Sequence, residues 1–72
     1  MRILVGINVR RIRAELGITQ EQFAERSGFS QQYLSGLERG RRNPTVVTLF
    51  EIAEALQTTP VALITPAGDG TV

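Results

Sequence analysis

The sequence predicts an all-α domain of five short helices. Side chains suited to helix caps recur along it at Thr19, Ser30, Thr45 and Thr59, and Gly17, Gly28 and Gly40 close three of the segments. Apolar residues return at three- and four-residue spacing, and strand-like alternation is absent outside residues 1–5. A length of 72 residues without cysteine allows one domain, held by no disulfide.

The first helix carries Val9, Ile12 and Leu16 on one face, with Arg10, Arg11 and Glu15 off it, and Gly17 ends it. We place the start of the domain at residue 7, so that residues 1–6 form an N-terminal extension whose first five residues suit an edge strand in an oligomer. Thr19 opens the second helix, Gln20 to Ser27, and Gln22 completes a capping box three residues on. Phe23 and Ala24 face inward there, and Gly28 ends the segment. Ser30 caps the third helix, which turns Leu34 and Leu37 inward and ends at Gly40. Pro44 pushes Asn43 out of the helical region and makes Arg41–Pro44 a basic loop. Thr45 caps the fourth helix, with Val46, Leu49, Ile52, Ala53 and Leu56 on one side. Thr59 and Pro60 open a very short fifth helix carrying Val61, Leu63 and Ile64. The domain spans residues 7–65, and residues 66–72, rich in Gly, Pro and small side chains, read as a flexible tail or the start of a linker.

Composition narrows the function. The absence of histidine and cysteine removes the usual general base, the commonest metal ligand and the thiolate nucleophile. The six Glu and one Asp make no paired-carboxylate arrangement, and no glycine-rich phosphate loop is present, so no catalysis, cofactor or metal is expected. No apolar run approaches the ~20 residues that span a bilayer. Arg10, Arg11 and Arg13 follow the apolar N-terminal run, whereas a signal peptide places its charges before it. A cytoplasmic protein is expected. The net charge of +1 is a sum of opposites: residues 1–42 hold all eight Arg against four Glu, a net +4, while residues 43–72 carry −3. Such asymmetry points to a directed basic face.

Residues 20–39 form two short helices joined by Gly28-Phe29-Ser30, the spacing of a helix-turn-helix. Ala24 is small where the two helices cross, and Gly28 supplies the positive φ of the turn. Several strings then carry a resemblance: Arg10-Arg11-Ile12-Arg13, Leu16 to Glu21, Phe23 to Gly28, Tyr33-Leu34-Ser35, Leu37-Glu38-Arg39-Gly40, Asn43-Pro44-Thr45 and Leu49 with Ile52 to Leu56. Through them residues 10–64 resemble the Cro/phage-repressor (XRE-like) helix-turn-helix DNA-binding domains. The resemblance implies a compact five-helix domain of the lambda-repressor-like type, working as a dimer on operator DNA.

The N-terminal turn of the third helix is then the reader, because the major groove admits an α-helix. Gln31 and Gln32 follow the cap, and a glutamine amide can bridge the N6 and N7 edge of adenine. Tyr33 offers a hydroxyl to phosphate or its ring to a thymine methyl, and Ser35 can donate to phosphate or base. Ser30 at the cap and Arg39 beyond the helix complete the reading surface. The resemblance gives Gln20 a phosphate contact from the start of the second helix, where free N–H groups favour an anion. Arg41, Arg42 and Asn43 are expected to grip flanking phosphates or reach toward the minor groove, so that replacing Arg42 weakens all sequences alike. Arg10 and Arg11 can reach the backbone at the edge. The resemblance also pairs Arg13 with Glu38 in a partly buried ion pair, which takes both off the DNA.

Three departures from the family pattern stand out. Gly36 occupies a reading-helix position where the family usually has a long polar side chain, so that the backbone approaches DNA closely or leaves a base pair unread. Gln57 stands where a helix-ending glycine is common. Val61 and Ala62 replace acidic residues, which makes the fifth helix apolar enough for a subunit contact. The expected function is a sequence-specific, double-stranded DNA-binding transcriptional regulator. It would be a repressor and homodimer, reading a near-palindromic operator and joined through Val61 and Ile64 or the N-terminal segment. The alternative is an antitoxin of a toxin–antitoxin pair or a restriction–modification controller, binding a protein partner as well as its own operator.

Overall fold

Val5, Val9 and Ile12 repeat at i, i+4 and i+7, and all three are buried on one face of helix α1, Arg2–Glu15. A computed structural model describes residues 1–66 of the chain. The helices that follow are α2, Gln20–Ser27; α3, Gln31–Glu38; α4, Val46–Ala55; and α5, Pro60–Ile64. No strand occurs among the described residues.

Each later helix begins on the residue whose side chain caps it. Thr19 Oγ1 accepts from the Gln22 N–H at 3.0 Å, and the Gln22 Oε1 accepts from the Thr19 N–H at 2.8 Å, so both halves of the capping box are made. Ser30 Oγ accepts from the Tyr33 N–H at 3.0 Å, Thr45 Oγ1 from the Thr48 N–H at 3.1 Å, and Thr59 Oγ1 from the Ala62 N–H at 3.3 Å. A cap of this kind stabilises its helix by about 0.5–2 kcal/mol. Gly28, at φ +81°, turns the chain between α2 and α3 in the left-handed region that a side chain disfavours.

The five helices close around one core. α1 packs on α3 and α5, α2 on α3 and α4, and α4 on α5. Phe23, Leu34, Leu37, Ile52, Leu56 and Leu63 are fully buried at the centre. Asn8 is the one buried polar residue among those described, and its Nδ2 donates to the Leu63 carbonyl at 2.8 Å and the Thr65 carbonyl at 3.0 Å. A buried amide without partners is costly; here it fastens α1 to the end of α5 instead. Gly6 lets α1 meet α3 backbone to backbone: a Cβ there would lie 2.5 Å from the Leu37 carbonyl oxygen and 2.9 Å from that of Glu38.

The start of the chain departs from expectation. Residues 1–5 are not a strand, and residues 1–6 are not an extension, because the helix begins at Arg2 and both Val5 and Gly6 are buried against the domain. The inward stripe is shifted one turn toward the N-terminus, so Leu16 lies past the last helical residue and is 37% exposed, and Ile18 takes the inward place beyond the turn. Val46 is also turned out, 68% exposed, because the first turn of α4 overhangs the core that Ile52, Ala53 and Leu56 complete. The tail expected at residues 66–72 lies, from residue 67 onward, outside the described residues.

Gln57, past the end of α4, has φ +57° and is the non-glycine residue with positive φ among those described. A side chain in this region costs roughly 1–2 kcal/mol, part of which glycine returns as unfolded-chain entropy. Gln57→Gly is therefore expected to raise stability by about 0.5–1 kcal/mol, read as a higher urea midpoint at unchanged m-value.

Candidate nucleic-acid interface

The order of cap, helix and glycine around α3 decides what the domain presents. Ser30 holds the first turn of α3, and the two residues it releases to the surface, Gln31 and Gln32, are both exposed. Tyr33 follows half-buried, its ring stacked on Phe29 at 5.1 Å between centroids and 22° between planes. Ser35 is half-buried on the next turn, and Arg39, Arg41, Arg42 and Asn43 are exposed beyond it.

Two open depressions gather most of these residues. Gln32, Ser35, Gly36, Arg39, Arg41 and Arg42 line one. Arg10, Arg13, Gln20, Ser35, Glu38 and Arg39 line the other. They share Ser35 and Arg39, so they form one continuous surface along α3. Ser30, Gln31, Tyr33 and Asn43 lie outside both. Arg10, from α1, joins the surface; Arg11 does not. Its guanidinium lies along α1 instead, with Nη1 3.3 Å from Glu15 Oε2, Nη2 donating to Asn8 Oδ1 at 3.4 Å, and Nε buried without a partner.

An ion pair lines the second depression. Arg13 Nε donates to Glu38 Oε2 at 2.6 Å and Nη2 to Oε1 at 3.0 Å, a two-pronged contact, while Nη1 donates to the Ile18 carbonyl at 3.0 Å. The side chains are only 17% and 6% exposed. The hydrogen bond to Glu38 raises the Arg13 pKa above its usual value, against the opposing effect of burial. Gln20 joins the same carboxylate, its Nε2 donating to Glu38 Oε1 at 3.3 Å. One amide N–H of Gln20 is thus committed inward, and the other is left for an anion. Glu38 is neutralised by its partner, so the surface charge is set by Arg10, Arg39, Arg41 and Arg42.

Gly6, Asn8 and the path of Arg42 are absent from the sequence reading. Gly6 and Asn8 make their contacts with α3 and the end of α5, more than 30 residues along the chain, where no local spacing marks them. Arg26, Glu51 and Glu54 share a separate depression near the end of α4. Among the described residues no helix is long and apolar enough to cross a membrane.

The helix-turn-helix family model HTH_3 matches residues 9–63. An HTH-type transcriptional regulator of Sinorhizobium fredii is 62% identical over 69 residues, covering 96% of this chain and 90% of that protein. The restriction–modification controller protein C.AhdI of Aeromonas hydrophila superposes with a TM-score of 0.82 at 35% identity, over 88% of this chain and 96% of its own. A further controller, C.Esp1396I, solved as a tetramer with its natural 35-base-pair operator, gives a TM-score of 0.79 at 35% identity over 86% of this chain and 82% of its own. With its capped helix pair and matched span, the chain belongs to the helix-turn-helix family of DNA-binding transcriptional regulators.

Proposed function

We propose that this regulator is a repressor that binds a near-palindromic operator as a homodimer, with Gln31 and Gln32 reading base edges in the major groove. The observation that carries the proposal is the capped first turn of α3, which exposes two adjacent glutamines beside a surface lined by Arg10, Arg39 and Arg41. In this reading Gln20, Arg10, Arg39, Arg41 and Asn43 hold phosphates, Ser30 fixes the helix start, and Tyr33 and Ser35 supply further contacts. Val61 and Ile64 of α5, 65% and 37% exposed, supply the subunit contact, and Val47 and Phe50 of α4 add exposed apolar surface at 66% and 59%. The protein acts on DNA in the cytoplasm.

In vitro selection from random duplexes tests this. The expected product is two half-sites about 34 Å apart, the distance between reading helices in a dimer. Affinity for that duplex should fall linearly on a log–log salt plot, with a slope of about −5 if six phosphates are neutralised. A single unpaired half-site, or affinity indifferent to salt, overturns the reading. A second reading, control of a restriction–modification operon, is favoured by the match over nearly all of C.AhdI. The selected operator decides it, by whether it precedes genes for a restriction enzyme and its methylase.

A further inference from the structure

Gln32, Gly36 and Arg39 fall at i, i+4 and i+7 and form one row along the outer face of α3. The middle of that row has no side chain of its own. Another part of the chain fills it. Gly40, at φ +76°, reverses the direction after α3, and the Arg41 N–H donates back to the Gly36 carbonyl at 2.8 Å. Arg42 then runs back along the helix. Its stem crosses Gly36, where an added Cβ would lie 3.0 Å from Arg42 Nε and 3.3 Å from Arg42 Cγ. Its guanidinium ends 5.3 Å from the centroid of the Tyr33 ring, itself stacked on Phe29.

We propose that Arg42 is a base-reading residue, lent to α3 across the bare position of Gly36 and directed at a guanine. The inference rests on the DNA-binding mode given above. The Tyr33 ring covers one face of the guanidinium and leaves its edge N–H groups free. Two parallel edge donors match the O6 and N7 acceptors of guanine in the major groove. An arginine extended from the loop would follow the phosphate backbone. This one is laid toward the N-terminal turn, the part of a reading helix that contacts bases. Gln32 lines the same depression and suits adenine. Each half-site should therefore carry a guanine beside an adenine, the first read by Arg42 and the second by Gln32. A long polar side chain at position 36 would occupy the same space, so the glycine and the arginine act as one reading group.

The test compares wild type with Arg42→Ala, Arg42→Lys and Gly36→Ala by in vitro selection and by titration of single-base operator variants. Melting temperatures are measured in parallel. Arg42→Ala should lose about ten- to hundredfold preference for guanine at one position while keeping the other preferences and the melting temperature, because the side chain is exposed. Arg42→Lys should keep the salt slope and lose the preference, since an ammonium cannot make the paired contact. Gly36→Ala should push the arginine stem aside and weaken the same preference. If Arg42→Ala weakens every sequence by one common factor, Arg42 is a backbone contact and the proposal falls. It falls too if Arg42→Lys retains the full preference or Gly36→Ala leaves it intact. Failure of wild type to select any sequence is a separate result, which withdraws the DNA-reading mode itself.

Discussion

Glu38→Ala is expected to destabilise the domain by about 3–5 kcal/mol, the range for removing one partner of a buried ion pair. The size follows from what is left behind. Arg13 is 17% exposed at its side chain and gives Glu38 two hydrogen bonds, at 2.6 and 3.0 Å. Without the carboxylate its charge stays between α1 and α3 with only the Ile18 carbonyl to receive it. Gln20 loses its acceptor as well. A domain of this length has about 5–10 kcal/mol in all, so the change consumes a large share of it. Thermal melting followed by circular dichroism should show a drop of at least about 12 °C. DNA affinity, measured well below the new melting point, should change far less. An unchanged melting temperature with lost DNA binding would mean that Glu38 serves the DNA surface instead of bracing the two helices.

Gly6→Ala is expected to cost about 2 kcal/mol, although alanine is the better helix former by about 1 kcal/mol. The clash decides the sign. The added Cβ would meet the carbonyl oxygens of Leu37 and Glu38 at 2.5 and 2.9 Å, and neither backbone atom can rotate away. Relief requires α1 and α3 to part, which opens the core around Val9 and Leu37; overpacking of this kind costs typically 1–3 kcal/mol and sometimes more. Gly36 is the control within the same fold. There the added methyl meets the flexible stem of Arg42, so Gly36→Ala should leave the melting temperature level or raise it. A Gly6→Ala protein that melts no lower than wild type would show that the two helices have room to spare. Gly6→Ala and Glu38→Ala should also combine non-additively, since both act on the α1–α3 contact.

What the sequence made legible was local. Thr19, Ser30, Thr45 and Thr59 each cap a helix through a backbone N–H three residues away, so a short window holds the whole interaction. Exposure of Gln31 and Gln32 follows from the same geometry. The Arg13–Glu38 pair joins residues 25 apart, and only the family resemblance suggested it. The start of α1 was obscured because Ile3, Leu4 and Ile7 add apolar residues off the buried stripe of Val5, Val9 and Ile12. Gly6 added to this, reading locally as a weak helix residue when α3 is what requires it. Asn8 and Glu15 engage Arg11 at i−3 and i+4, contacts that the basic run Arg10-Arg11-Ile12-Arg13 does not announce. The path of Arg42 depends on Gly36, Gly40 and Tyr33 together, and no single spacing encodes that combination.

The amide of Asn8 also has a bearing on synthesis. Its two acceptors, on Leu63 and Thr65, stand 55 and 57 residues further along the chain. At ~5–20 residues per second, a ribosome takes about 3–11 s to supply them after Asn8 is made. Throughout that interval the nascent α1 carries an unmatched polar group on the face that must be buried, which discourages premature docking. Completion of the core is thereby tied to the arrival of its last turn, and a chain halted before Leu63 lacks the segment that satisfies its first helix.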